Sequence, residues 1–312
     1  MEMKHLAIQV LRATAAPCLP FVAALSCVNA VAPAPSPLSL RLYIDGHEYF
    51  DNEPLYVVFQ LTNNGSDTAW VMPFDPAEQS LQAVLVRSDG VVFRDWGIIA
   101  DYITGPGWRG VPIAPQRSLY QIGTLQDRLG QYDSAFQNLY HSHHVPAGKY
   151  QLEAAFAWDP RHVHPPLRTS SSTIVVRSRT PAEDSTLAGI NALVMMAWDT
   201  AKRATYLDSL VTFVELQAAA DPADPYLPYL AVYKVITAAA VGYSPDSAMT
   251  DRLTAVLTKL ALTDRDTPAG AEAVLGVSFY RPQLLPSLAS QFGNSLAGNV
   301  ARELAETAQA SH

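Results

Sequence analysis

Glu53 to Pro76 read EPLYVVFQLTNNGSDTAWVMPFDP, and this stretch decides the fold of the first half of the chain. Leu55, Val57, Phe59 and Leu61 alternate with Tyr56, Val58, Gln60 and Thr62, the period-2 pattern of a strand with one face buried. Asn63-Asn64-Gly65-Ser66-Asp67 follows as a cluster of turn formers, and a second apolar run starts at Thr68. A strand, a turn and a return strand predict an antiparallel sheet. Asn64-Gly65-Ser66 also fits a glycosylation sequon, but here it reads as part of the turn.

The same rhythm extends outward. Strands are expected at 38–45, 54–62, 68–72, 80–88, 91–96, 116–123, 148–158 and 171–178. Ser88-Asp89-Gly90 joins LQAVLVR to VVFRDW as a tight hairpin that needs positive φ. After Gly148, Tyr150, Leu152, Ala154, Phe156 and Trp158 alternate with Gln151, Glu153, Ala155 and Ala157. Strands this dense, with turn signals between them, predict two packed antiparallel sheets rather than a parallel one. Two insertions interrupt them: a glycine-rich loop at 97–113, and 124–147, where a short helix is expected around Leu125–Tyr140 before a histidine cluster.

At Thr180-Pro181 the composition changes. Alanine and leucine dominate from Ala182, and the apolar period becomes helical. Helices are expected at 183–201, 204–219, 225–241, 246–262, 268–279 and 283–308, with Leu207, Leu210, Val211, Val214 and Leu216 on one face of the second. Asp221 to Pro225 and Thr263 to Pro268 each end one helix and start the next, with proline in a first turn. The spacing predicts α-hairpins, either as a short repeat or as a small bundle. The expected organisation is a signal segment at 1–30, a Pro/Ala/Ser linker at 31–37, a β-sandwich at 38–180 and an α-helical domain at 182–310.

The N-terminus reads as an export signal. Lys4 and Arg12 precede the mostly apolar run Ala13–Val28, and Val28-Asn29-Ala30 offers small residues for cleavage after Ala30. Pro17 and Pro20 interrupt the run, which is short for a membrane span. Ala24-Leu25-Ser26-Cys27 resembles a bacterial lipobox with its leucine one place too close, making Cys27 the lipidation candidate. Cys18 and Cys27 are the only cysteines, so a chain starting at Val31 has none for disulfides, thiolate metal sites or nucleophilic catalysis. The formal charge is −8, with no Lys/Arg-rich stretch, which argues against nucleic acid and against anionic membrane surfaces except through lipidation.

Four groups of residues carry a family likeness: EPLYVVFQLTNNGSDTAW (53–70), Arg87-Ser88-Asp89-Gly90, Ala114-Pro115-Gln116-Arg117-Ser118 and Val145-Pro146-Ala147-Gly148-Lys149-Tyr150. With these, the first half resembles the immunoglobulin-like sandwich domains of bacterial envelope proteins, including the domain of the intracellular proteinase inhibitor family. The likeness covers less than half of the chain. It implies the sandwich fold, and with it a tyrosine, Tyr150, whose hydroxyl ties down a loop at the sandwich corner. Protease inhibition is implied only as an alternative, because no reactive-loop motif carries over.

Histidines are the most tempting chemistry. His141, His143 and His144 form one group, His162 and His164 another. In an extended chain, residues two apart share a face, so each group presents two imidazoles to zinc or copper. The strand between them, ten steps of about 3.3 Å, puts its ends roughly 33 Å apart, which separates the groups. A metal site or metal-assisted hydrolase at His141/His143/His144 is therefore the alternative, and solvated loop histidines the plainer reading. No G-x-S-x-G, H-E-x-x-H or phosphate-binding glycine loop occurs. Asp221/Asp224 and Asp264/Asp266 sit at helix boundaries, where capping explains them.

Trp96, Tyr102, Trp108 and Arg109 in and beside the glycine-rich loop are residue types that anchor protein or glycan contacts. The expectation is a non-catalytic exported binding or assembly module without a cofactor, whose partner is another envelope protein or a glycan.

Overall fold

A computed structural model describes residues 36–45, 48–50, 55–74, 80–95, 110–125, 129–133, 138–141, 145–159, 164–185, 188, 203–220 and 246–310. Residues 36–312 form one compact unit, with β-sheets in the N-terminal part and helices in the C-terminal part. The strands are β1 (Leu38–Ile44), β2 (Tyr49–Phe50), β3 (Tyr56–Asn63), β4 (Ala69–Val71), β5 (Leu81–Arg87), β6 (Val92–Asp95), β7 (Val111–Ile113), β8 (Ser118–Thr124), β9 (Leu129–Asp133), β10 (Asn138–His141), β11 (Gly148–Phe156), β12 (Leu167–Arg168) and β13 (Ser172–Arg177). One antiparallel sheet has the order β1-β3-β8. A larger sheet runs β10-β9-β6-β5-β11-β13-β2, with β12 beside β11, and β4 pairs with β7 in a separate ribbon. The β13–β2 pairing is parallel, so the larger sheet is mixed.

The two sheets pack face to face. Leu38, Val57, Phe59 and Leu61 of the smaller one share an apolar cluster with Leu81, Leu85, Phe93, Tyr150, Leu152, Phe156, Ile174 and Val176 of the larger. Burying each such large side chain is worth roughly 1.5–3 kcal/mol, enough to hold the alternation in register. The hairpin forms at 88–90, with Gly90 at φ 88°. Its carboxylate Asp89 takes two bonds from Arg87, at 2.8 and 2.7 Å. Asn63 closes the turn after β3. Its buried side-chain amide donates to the carbonyls of Asp67 (2.8 Å) and Ile113 (2.9 Å), while its oxygen accepts from Gly65 N–H (2.9 Å). Tyr150 Oη donates to Pro146 O at 2.6 Å, tying the residues before β11 to that strand.

Strand β3 differs from the expected one-faced pattern in one respect. Its alternate face is buried too: Tyr56 packs on Ala269, and Val58 belongs to the helical cluster. The cause is the layer of helices covering that face, so only Gln60 and Thr62 remain partly open.

The helices are α1 (Arg203–Ala220), α2 (Ser247–Thr263), α3 (Pro268–Tyr280), α4 (Leu285–Phe292) and α5 (Leu296–Ala310), with a 3-10 turn at Pro282–Leu284. Residues 181–185 are also helical. Asp246 caps α2, accepting from Met249 N–H at 2.8 Å. Thr267 caps α3, and Pro268 takes its first position, where a missing N–H costs nothing. Among the described residues no helix is long and apolar enough to cross a membrane.

Several expectations change. The helix expected around 125–140 is absent, and β9 and β10 stand there as an antiparallel pair on the edge of β6. Gly130 is a poor helix former, costing about 1 kcal/mol against alanine, while the β6 edge offers ladder hydrogen bonds. The end of the loop expected at 97–113 is a strand, β7. The helix expected at 283–308 is divided at Gly293, whose φ is 60°, outside the right-handed helical region. On α1, Leu210 and Val211 are buried, but Leu216 is 66% exposed, since it falls off the i, i+3, i+4, i+7 row. Of Asp221/Asp224 nothing is described. Asp264 follows α2, and its carboxyl is partly buried rather than capping a helix start.

Candidate functional site

Among the described residues, a concave polar feature lies where sheet β1-β3-β8 meets α5. Register places Arg41, Gln60 and Tyr120 side by side across the three strands, with Ser39, Thr62 and Ser118 in the next row. Period-2 alternation puts both rows on the face opposite the shared apolar cluster. The adjoining row, Tyr43, Val58 and Ile122, packs against the helices. Where the apolar rows end, the helices no longer cover the sheet, and a cleft of about 250 Å³ opens. Gln60, Gln116, Arg117, Ser118 and Tyr120 line its strand side, and Asn299, Arg302 and Glu303 its helix side.

Gln60 is the hub. Its carbonyl accepts from Tyr43 Oη at 2.6 Å, and its amide nitrogen donates to Ser118 Oγ at 2.9 Å and Tyr120 Oη at 3.0 Å. Thr62 and Ser118 hydroxyls lie 2.8 Å apart. Partial burial raises the Tyr120 phenol above its ordinary value, with the neighbouring Tyr43 acting in the same direction. On the helix side, Arg302 donates to Asn299 Oδ1 at 2.9 Å and to Gly293 O at 3.3 Å. Arg117 pairs with Glu306 and lies 3.8 Å from Glu303. Burial raises the Glu303 carboxyl, and Arg117 partly offsets that. The site is thus a sheet face whose hydroxyls are held by one amide, walled by a helix carrying guanidinium and carboxyl groups.

Trp96, Tyr102, Trp108, Arg109, His143, His144, His162 and Cys27 lie outside the described residues. His141 ends β10, its backbone opposite Gly130. His164 is exposed, stacks on Trp158 at 4.9 Å and 18°, and its N–H donates to the Asp159 carboxylate at 3.1 Å. Among the described residues, no group of three or more His, Cys, Asp or Glu side chains is placed to hold a metal ion.

Outside the cleft, one buried acid stands out. Glu272 on α3 is 6% exposed, its Oε2 has no hydrogen-bond partner, and burial pushes its pKa up to about 7. Sequence reasoning missed the cleft because its walls come from residues 60, 116–120 and 299–303, which no local motif links. The one available signal was the switch from Tyr56 and Val58 to Gln60 and Thr62 along a single face of β3. No family model matches the sequence, and no curated protein matches it.

Proposed function

We propose that this chain is an exported, non-catalytic binding protein: an immunoglobulin-like sandwich backed by helices, engaging an envelope protein or glycan. The fold reading is supported by two sheets that share one apolar cluster and by the Tyr150–Pro146 corner contact. Export rests on Lys4, Arg12 and the apolar run to Val28, with Cys27 as the alternative lipid anchor.

One observation carries the binding reading. Gln60 spends its amide on Tyr43, Ser118 and Tyr120, so a row of hydroxyls is pre-positioned on a rigid sheet within a cleft. Groups fixed before a partner arrives lose little freedom on binding, which is how polar recognition surfaces gain affinity. Capture of solubilised envelope protein and of purified envelope glycans by immobilised protein tests it. Wild type should retain a component that Gln60→Ala, with an unchanged circular dichroism spectrum, releases at least tenfold more readily. Equal retention by both proteins would remove the cleft from the function. Intact-mass analysis tests export: a product starting at Val31 or a lipidated Cys27 supports it, and an uncleaved chain held in the cytoplasm counts against it.

A further inference from the structure

We propose that the cleft between β8 and α5 binds a small carboxylate, held by the Arg302 guanidinium and the hydroxyls of Tyr120 and Ser118. This rests on the binding-protein reading and names the chemistry of its ligand.

Hydrogen-bond counting supports it. A guanidinium has five N–H donors, and Arg302 uses two, on Asn299 Oδ1 and Gly293 O. No carboxylate among the described residues pairs with it. The other cleft arginine is different: Arg117 is held by Glu306 and approached by Glu303, so its charge is already met. Of the two arginines that line the cleft, Arg302 is therefore the cation left for a ligand.

The hydroxyl row adds donors. Gln60 donates to both Ser118 and Tyr120, so those oxygens act as acceptors towards it. Ser118 links to Thr62, which uses one of the three hydroxyl hydrogens. The Tyr120 hydroxyl, which accepts from Gln60, keeps its own hydrogen to donate. Spare guanidinium and hydroxyl donors beside one another match a carboxylate, whose two oxygens are acceptors only. A cleft of about 250 Å³ is below the roughly 300–1,000 Å³ of drug-sized sites, so the ligand is about one sugar or amino-acid unit.

Glu303 sharpens the test, because it lines the same cleft and its negative form repels a ligand carboxylate. The probes are D-glucuronate against D-glucose, and N-acetyl-L-alanine against its amide, titrated into the purified protein with NMR of labelled tyrosine and arginine side chains. The acids should shift Tyr120 and Arg302 signals and bind roughly tenfold or more tightly than their uncharged counterparts. Arg302→Gln should weaken the acids by about the same factor. Glu303→Gln should tighten them several-fold, a gain that misfolding cannot produce.

Uncharged probes that shift Tyr120 as strongly as the acids would overturn the carboxylate assignment while leaving the cleft a binding site. Acid binding unaffected by Arg302→Gln, or no tightening with Glu303→Gln, would overturn it as well. So would silence from all four probes, and the binding reading would then rest on the envelope capture alone.

Discussion

Glu272 on α3 shows what a single buried acid does to this molecule. Its carboxyl is almost wholly enclosed, and burial alone raises its pKa from 4.5 to about 7. Below pH 4.5 the group is neutral in both the folded and the unfolded chain and has no effect. As pH rises past 4.5, the unfolded chain releases this proton first, so stability falls until the folded pKa near 7 is passed. The loss across that window is about 3 kcal/mol. Asp264 and Glu303, raised by the same cause, add to the fall in the same direction. Comparing Glu272→Gln with wild type isolates the one residue: urea midpoints of the variant should decline much less between pH 4.5 and 8. Parallel declines would show that Glu272 is hydrated in solution. Tyr150→Phe is the second residue-scale test. Losing the bond to Pro146 O should cost about 1 kcal/mol in urea denaturation, with an unchanged fold. A variant as stable as wild type would mean that the corner contact is idle.

At the scale of elements, the junction between α4 and α5 depends on two glycines. Gly293 takes a left-handed φ, and a Cβ on Gly298 would stand 2.4 Å from the Gly293 carbonyl oxygen. Gly298→Ala must push the two helices apart, so it should destabilise by roughly 1–3 kcal/mol in thermal melts. Gly123→Ala on β8, with nothing within 4 Å of its Cβ, is the control and should stay near wild type. Equal melting temperatures for the two variants would refute the packing argument. The same junction marks how far the sequence could be read. Period-2 runs such as Leu81–Arg87 and Gly148–Phe156 announce their strands because both faces repeat over several residues. Val111–Ile113 and Leu129–Asp133 are too short for a period and are strands only because a neighbouring edge pairs with them. The break at Gly293 hides inside an otherwise continuous apolar pattern. The cleft hides more deeply, since Gln60, Tyr120 and Arg302 meet only through tertiary packing, and each alone reads as an ordinary polar residue on its element.

For the molecule as a whole, the apolar cluster that joins sheet to helices matters most. Val58 is fully buried among Leu210, Leu253, Leu257, Val274, Val277 and Val300, with Tyr43, Tyr120 and Ile122 packed against the same cluster. Strand β3 thus supplies one face to the other sheet and one to the helices, and neither half buries its apolar surface alone. Two parts that share a core in this way unfold together, because melting either exposes the apolar face of the other. Trp70 and Trp158, the tryptophans among the described residues, lie in the strand half. Circular dichroism at 222 nm reports mainly on the helices. Heating should therefore give one midpoint by both signals. Val58→Ala, which leaves a void at the junction, should lower both by the same amount, for a cost of roughly 2 kcal/mol. If helical signal were lost at a lower temperature than tryptophan signal, or if Val58→Ala moved only one, the shared core would not couple the halves. The cleft would then have a wall able to leave its sheet, and ligand affinity should fall at the temperature where the helical signal is lost. With a single transition, affinity for the carboxylate probes should instead hold up to the common midpoint, because Arg302 and Tyr120 stay positioned for as long as the core does.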